Sequence, residues 1–230
     1  MREEDSEKRF VVSRSQNRPL FFSTFLSLKI RVPSIVRVLF PGTTWRIKTK
    51  EKKVFLTFDD GPIPEVTPWI LDCLKRHNAV ATFFCIGDNV RKYPEVFEQL
   101  RNSGMGIGNH TFSHCRAWKN SKEAYFADID KCEEYFNSHF FRPPHGELYP
   151  WWIRLLKKRF KRIVMWDILS LDYEQKLSPA EVVENVITRI RPGAIIVFHD
   201  SLKAWDRLQE ALPQVLEYLK EKSYSTEKLN

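Results

Sequence analysis

The sequence predicts an α/β fold, a parallel sheet or barrel assembled from βα units, and three observations lead to it. Short β-branched and aromatic runs alternate with helix-period segments from Lys53 onward. Two of the runs, Val80 to Ile86 and Ala194 to Phe198, are almost wholly apolar, as strands covered on both faces are. Polar residues able to do chemistry recur just past the predicted strand ends: Asp59-Asp60-Gly61, His110 and His114, Arg142, Asp167 and Asp172, and His199-Asp200. In an α/β barrel these ends open on one mouth, so residues distant in sequence converge there.

Val54 to Phe58 reads as the first strand. Thr67 is the expected N-cap of the next helix, with Pro68 at its first position and Ile70, Leu71 and Leu74 as the buried stripe. The Val80 to Ile86 strand stops at Gly87, Tyr93 to Asn102 reads as a helix, and a short strand ends near Asn109. Ser121 caps a helix whose Tyr125, Ile129, Cys132 and Phe136 share a face. Phe140-Phe141 lead into another strand end. A helix then runs through Ile153, Leu155 and Leu156, and Ile163 to Trp166 forms a strand. Ser178-Pro179-Ala180-Glu181 is a capping box, opening a helix that buries Val182, Val183, Val186, Ile187 and Ile190 before Pro192-Gly193 ends it. Ala194 to Phe198 is the last core strand. Pro213 inside Ala204 to Lys220 predicts a kink or two short helices.

At 230 residues the chain has room for one substantial core. We expect a catalytic domain over 46–230 and an N-terminal extension over 1–45, partly disordered or packed on the barrel. The composition, 43% hydrophobic and 29% charged, is globular. The net charge of +8 gathers in Lys48 to Lys53 and Lys157 to Arg162. Nucleic-acid binding would call for interleaved stacking aromatics or a known module, and neither is present; peripheral attraction to an anionic envelope polymer fits the charge. Cys73, Cys85, Cys115 and Cys132 form no C-x-x-C pair and read as core residues. Leu20 to Leu28 is apolar but too short to span a membrane, and it lacks the small-residue cleavage site of a signal peptide. The expectation is a cytoplasmic or envelope protein without a transmembrane helix.

Adjacent acids repel unless a cation or a shared proton relieves them, so Asp59-Asp60 before a glycine turn points to a metal or a base, against the plainer reading of an N-cap and turn pair. His110 and His114, four apart, would lie on one side of a helical turn and take adjacent corners of one metal. With a carboxylate they make a set that leaves coordination positions open for water and substrate.

The motifs TFDDGP (Thr57 to Pro62), HTFSH (His110 to His114), RPPHG (Arg142 to Gly146), WDILSLDY (Trp166 to Tyr173) and VFHD (Val197 to Asp200) come in an order that resembles the polysaccharide deacetylase family, the NodB-homology domain of carbohydrate esterase family four. The resemblance covers about Lys53 to Tyr224. It implies a distorted seven-stranded β/α barrel and a divalent ion, zinc or else cobalt or another, held by Asp60, His110 and His114. It further implies Asp59 as general base tuned by Arg142, an oxyanion contact from the His145 backbone N–H, and His199 as general acid oriented by Asp172. Where the family commonly has tyrosine, tryptophan and leucine, this chain has His145, Tyr173 and Val197; a backbone role at His145 survives any side chain, whereas the replacements at Tyr173 and Val197 alter the acetyl pocket. The implied activity is hydrolysis of N-acetyl groups on N-acetylglucosamine-containing glycans by a monomer, with no nucleic-acid partner. The rivals are an O-acetyl esterase, as on xylan, and a silent carbohydrate-binding domain, which would have lost a ligand or the base.

Overall fold

The computed structural model describes residues 30–230, so Leu20 to Leu28 and the first part of the extension lie outside the described residues. Nine strands are formed there: β1 (Thr43–Thr44), β2 (Lys53–Asp59), β3 (Ala81–Cys85), β4 (Gly106–Asn109), β5 (Phe140–Phe141), β6 (Arg162–Val164), β7 (Ile168–Leu169), β8 (Ile195–His199) and β9 (Ser225–Thr226). Eight follow the path β1-β6-β5-β4-β3-β2-β8-β7, with β9 added beside β2, and every pairing between them is parallel. The curled parallel sheet agrees with the expected barrel, with eight strands along the path instead of seven.

The helices are α1 (Ser34–Val38), α2 (Thr67–Arg76), α3 (Gly87–Lys92), α4 (Pro94–Asn102), α5 (Lys122–Glu133), α6 (Ile153–Leu156), α7 (Pro179–Ile187) and α8 (Trp205–Glu221). Val54 to Asp59 in β2 and all of β3 are buried, which is why these strands are continuously apolar rather than alternating. Phe58 stacks on Phe83 at 4.9 Å and on Phe198 at 5.9 Å, binding β2 to both neighbours. Register then does the functional work. Asp59 pairs with His199 and with Phe84, Cys85 with Asn109, and Asn109 with Phe141, so the chemical residues arrive along one rim.

The capping box at Ser178 and the Ser121 cap form as read. Three local readings are corrected. Thr67 is not a cap: the cap position is Val66, and the Thr67 hydroxyl instead accepts from the Ile63 N–H and donates to Asp200. Gly87 does not simply end a strand but opens α3. Pro213 does not split the last helix, which runs from Trp205 to Glu221. Interior proline costs roughly 3 kcal/mol, whereas each buried aliphatic side chain stabilises by about 1.5–3 kcal/mol. Leu212, Val215, Leu216 and Leu219 are all buried, so packing wins. All four cysteines are free, three of them buried, as expected for core residues.

Candidate active site

A cavity of about 780 Å³ opens at the rim of the sheet. Asp59, Asp60, His110, His114, Arg142, His145, Tyr173, Val197 and His199 all line it, and Asp172 stands directly behind His199. The structure thus brings together every residue that the family resemblance implies for the site. Five of the seven non-glycine residues with positive φ among the described residues lie at or beside it: Asp60, Thr111, His114, His145 and Leu171. Such backbone is costly for residues bearing a Cβ and persists where surrounding contacts over-determine it.

Asp59 ends β2 and is buried. Arg142, 1% exposed, donates through Nη1 to Asp59 Oδ1 at 2.5 Å and to Thr57 Oγ1 at 2.8 Å. Its Nε and Nη2 donate to the Val164 and Met165 carbonyls, and its guanidinium lies over the Phe84 ring at 4.1 Å. Burial lowers the arginine pKa while Asp59 raises it, and a guanidinium so fully hydrogen-bonded stays charged. Its position locks the orientation of the Asp59 carboxylate.

Asp60 follows at φ 87, its carbonyl accepting from Asn89 Nδ2 at 2.7 Å. The turn beyond needs glycine: an ideal Cβ on Gly61 would lie 1.8 Å from Asp200 Oδ2. Asp200 is itself absent from the cavity wall. Its Oδ1 accepts from the Gly61 N–H at 2.9 Å and its Oδ2 from Thr67 at 2.8 Å, and burial pushes its carboxyl well above the usual range.

His110 and His114 do reach the same point as Asp60, but not from a helical turn. They lie in an irregular loop with Thr111 and His114 in left-handed backbone, which corrects the geometry inferred from their spacing. Asn109 and Asp128 hold that loop. Asn109 Oδ1 accepts from the Thr111 N–H at 2.8 Å, and Asp128 Oδ2 accepts from the Phe112 and Ser113 N–H groups at 3.0 and 2.9 Å. Neither was legible as functional, since an acid on a helix and an asparagine at a strand end carry no distinctive spacing.

Asp60 Oδ1 is 3.2 Å from His114 Nε2 and 3.7 Å from His110 Nε2, and one ligand atom from each residue falls within 4.8 Å of the others. The His110 Nδ1 lies 2.7 Å from the Arg142 carbonyl, which only a protonated Nδ1 can satisfy. Burial is the largest influence on His110 and brings its pKa down to about 4, so the ring is neutral and its Nε2 presents a lone pair toward a carboxylate. Burial opposes ionisation of Asp60, but the His114 hydrogen bond and the charge of His199 hold its carboxyl well below the usual range. Two imidazole nitrogens and an ionised oxygen facing a common point are a donor set compatible with a divalent cation, and a carbonyl such as the one behind His110 is the kind of partner that orients a ligating histidine.

His199 is tied differently. Its Nδ1 lies 2.7 Å from Asp172 Oδ1 and its backbone N–H donates to Asp172 Oδ2 at 2.7 Å, while Arg207 donates to the Asp172 carbonyl at 2.6 Å. Burial alone would lower its pKa. Asp172, Asp60 and Asp59 more than reverse this and carry it up to about 9, so the imidazole is protonated at neutral pH. Tyr173 packs edge-on against the His199 ring at 4.8 Å, and Lys203, another residue without a sequence signal, sits over Tyr173.

Asp167, grouped with the mouth residues by its place after a strand run, faces elsewhere. It is fully buried and paired with Arg31, Arg37 and Arg191, which hold it below the usual carboxylate range against the effect of burial. Those contacts clamp residues 30–37 to the sheet, and Val32 from this strap, which precedes every recognisable motif, forms part of the cavity wall.

A family model described as polysaccharide deacetylase matches residues 46–158. A peptidoglycan-N-acetylglucosamine deacetylase of Bacillus cereus is 32% identical, the match covering 79% of this chain and 88% of that protein. The chain belongs to the polysaccharide deacetylase family. A second B. cereus protein of the same description is 37% identical over 71% of this chain, which spans 63% of that protein's length. A chitooligosaccharide deacetylase of Azorhizobium caulinodans is 36% identical, covering 69% and 79%. Among solved structures, the Bc1960 peptidoglycan N-acetylglucosamine deacetylase superposes with a TM-score of 0.76 at 34% identity, over 80% of this chain and 89% of that one. Within polysaccharide deacetylases the fold alone does not decide activity: a BA3943 mutant described as a pseudoenzyme with restored activity superposes at 0.74 with 26% identity, over 82% and 70%. The chemistry has to be argued from the residues at the site. No helix among the described residues is long and apolar enough to cross a membrane.

Proposed function

We propose that this polysaccharide deacetylase is a metal-dependent hydrolase that removes N-acetyl groups from N-acetylglucosamine-containing glycans and releases acetate. The observation that carries this reading is the convergence of Asp60 Oδ1, His110 Nε2 and His114 Nε2 in one cavity with a His199 tied to Asp172. The relatives named as peptidoglycan and chitooligosaccharide deacetylases support the substrate class.

Asp60, His110 and His114 would hold a divalent ion, zinc being our choice; when bound it would acidify a water and polarise the acetyl carbonyl. Asp59, fixed by Arg142, accepts the proton of the attacking water. The His145 N–H stabilises the developing oxyanion. His199, kept charged by Asp172, protonates the departing nitrogen, without which an amine is a poor leaving group. Tyr173 and Val197 bound the acetyl pocket. We take the working unit as a monomer with its catalytic domain over 46–230 and residues 1–45 as an extension.

The test is acetate release from N-acetylated chitooligosaccharide, peptidoglycan and acetylated xylan, with metal analysis of the same sample. Release from the N-acetylated glycans is expected; release from xylan alone would make the protein an O-acetyl esterase. Asp59→Asn should lower turnover about 10²–10⁴-fold with metal content retained. Turnover near that of the wild type would remove Asp59 from the mechanism.

A further inference from the structure

The strap that supplies Val32 continues into a surface the site does not use. α1 buries none of its residues, and Ile35, Val38 and the following Leu39 are 79%, 75% and 64% exposed. The strap runs along the segment around α6. Phe40 packs on the cluster of Trp152, Ile153 and Leu156, and an ideal Cβ on Gly42 would lie 3.0 Å from Lys157 Cδ. On that neighbouring segment Trp151 and Leu155 are exposed and interleaved with exposed Arg154, Lys157 and Lys158. No acidic residue occurs between Glu7 and Glu51 or between Glu147 and Asp167; Arg31 and Arg37 are tied to Asp167 and Arg159 to Asp130 and Glu133, which leaves Arg154, Lys157 and Lys158 as the exposed charge of this face.

We propose that this face docks on an anionic lipid membrane. Exposed aliphatic and tryptophan side chains beside unneutralised lysine and arginine are the composition of an interfacial surface, where apolar groups enter the headgroup boundary and cations meet lipid phosphates. Charge argues against the other occupants. A two-fold contact between copies would set Arg154, Lys157 and Lys158 against their equivalents. The chain's own segment 8–29 is also without acidic residues and carries Lys8, Arg9, Arg14, Arg18 and Lys29. The docking face borders the cavity: Val32 lines it two residues before α1, and exposed Leu202 lies between the lining residues Ser201 and Lys203. Docking therefore brings the cavity mouth close to the lipid headgroups.

The test is co-sedimentation of the full chain with vesicles of phosphatidylcholine alone and of phosphatidylcholine mixed with phosphatidylglycerol. Binding to the mixed vesicles, weakened by salt, is expected. Lys157→Gln with Lys158→Gln should weaken it about thirtyfold, at about 1 kcal/mol per cation near the surface. Val38→Ser with Leu39→Ser, and Trp151→Ser, should also release the protein, while circular dichroism and acetate release from a soluble oligosaccharide stay unchanged. Three results would overturn the proposal. One is no preference for anionic vesicles. Another is a dimer in sedimentation velocity that Leu39→Ser dissolves. The last is binding that survives the α1 and Trp151 variants but is lost on Phe21→Ser with Phe22→Ser.

Discussion

His110 and His199 line the same cavity and are held in opposite charge states. His110 gives its Nδ1 proton to a carbonyl and is brought down to about 4 by burial, so it offers a lone pair. His199 faces the Asp172 carboxylate through the same ring atom and is carried up to about 9, so it offers a proton. One partner atom behind each ring, a neutral oxygen or a charged one, separates a ring that offers a lone pair from one that offers a proton. The carboxylates repeat the lesson: Asp60 is ionised among imidazoles, while Asp200, one position past β8 and next to His199 in the chain, sits where burial favours its protonated form.

The largest way to break this contrast is His110→Ala. It removes one of the three proposed cation ligands, and both bound metal and acetate release should fall, the latter about 10³-fold or more; retention of stoichiometric metal would show that the donor set is elsewhere. Asp172→Asn is the sharper test of the acid side. Its expected effect appears above neutrality, because the wild type loses protonated His199 only as pH rises through about 9. Without the carboxylate the pKa should drop toward the ordinary 6.5, bringing the alkaline limb of the kcat profile down and lowering the rate roughly thirtyfold at about pH 8. An unmoved limb would separate that limb from His199. The smallest effect belongs to Asp200→Asn. An amide of the same shape keeps one acceptor, for the Gly61 N–H, and meets a Thr67 hydroxyl that can turn to accept from it, so the exchange should cost about 1 kcal/mol, read as a Tm lowered by a few degrees. A loss of several kcal/mol would mean that Asp200 is ionised in the folded protein.

The strand run, the capping box at Ser178 and the Ser121 cap were legible because periodicity and caps are local. The convergence of Asp60, His110 and His114 was legible from strand-end placement and motif order, although the helical turn assumed between the histidines does not exist. Asn109 and Asp128, which shape that loop, and Lys203, beside Tyr173, were invisible, since single polar residues mark a role only when their neighbours in space are known. Asp167 was misplaced because residues beside one another at a strand end turn to opposite faces, and one position separates the cavity from the arginine cluster behind it.

The sequence by itself determined the βα order, the residues available for chemistry and the family. Tertiary structure decided which carboxylate is ionised, which histidine carries a proton and which early residues wall the cavity. The reason is physical: propensity and patterning act between chain neighbours, whereas charge state answers to burial and to partners such as Arg142 and Asp59, 83 positions apart along the chain.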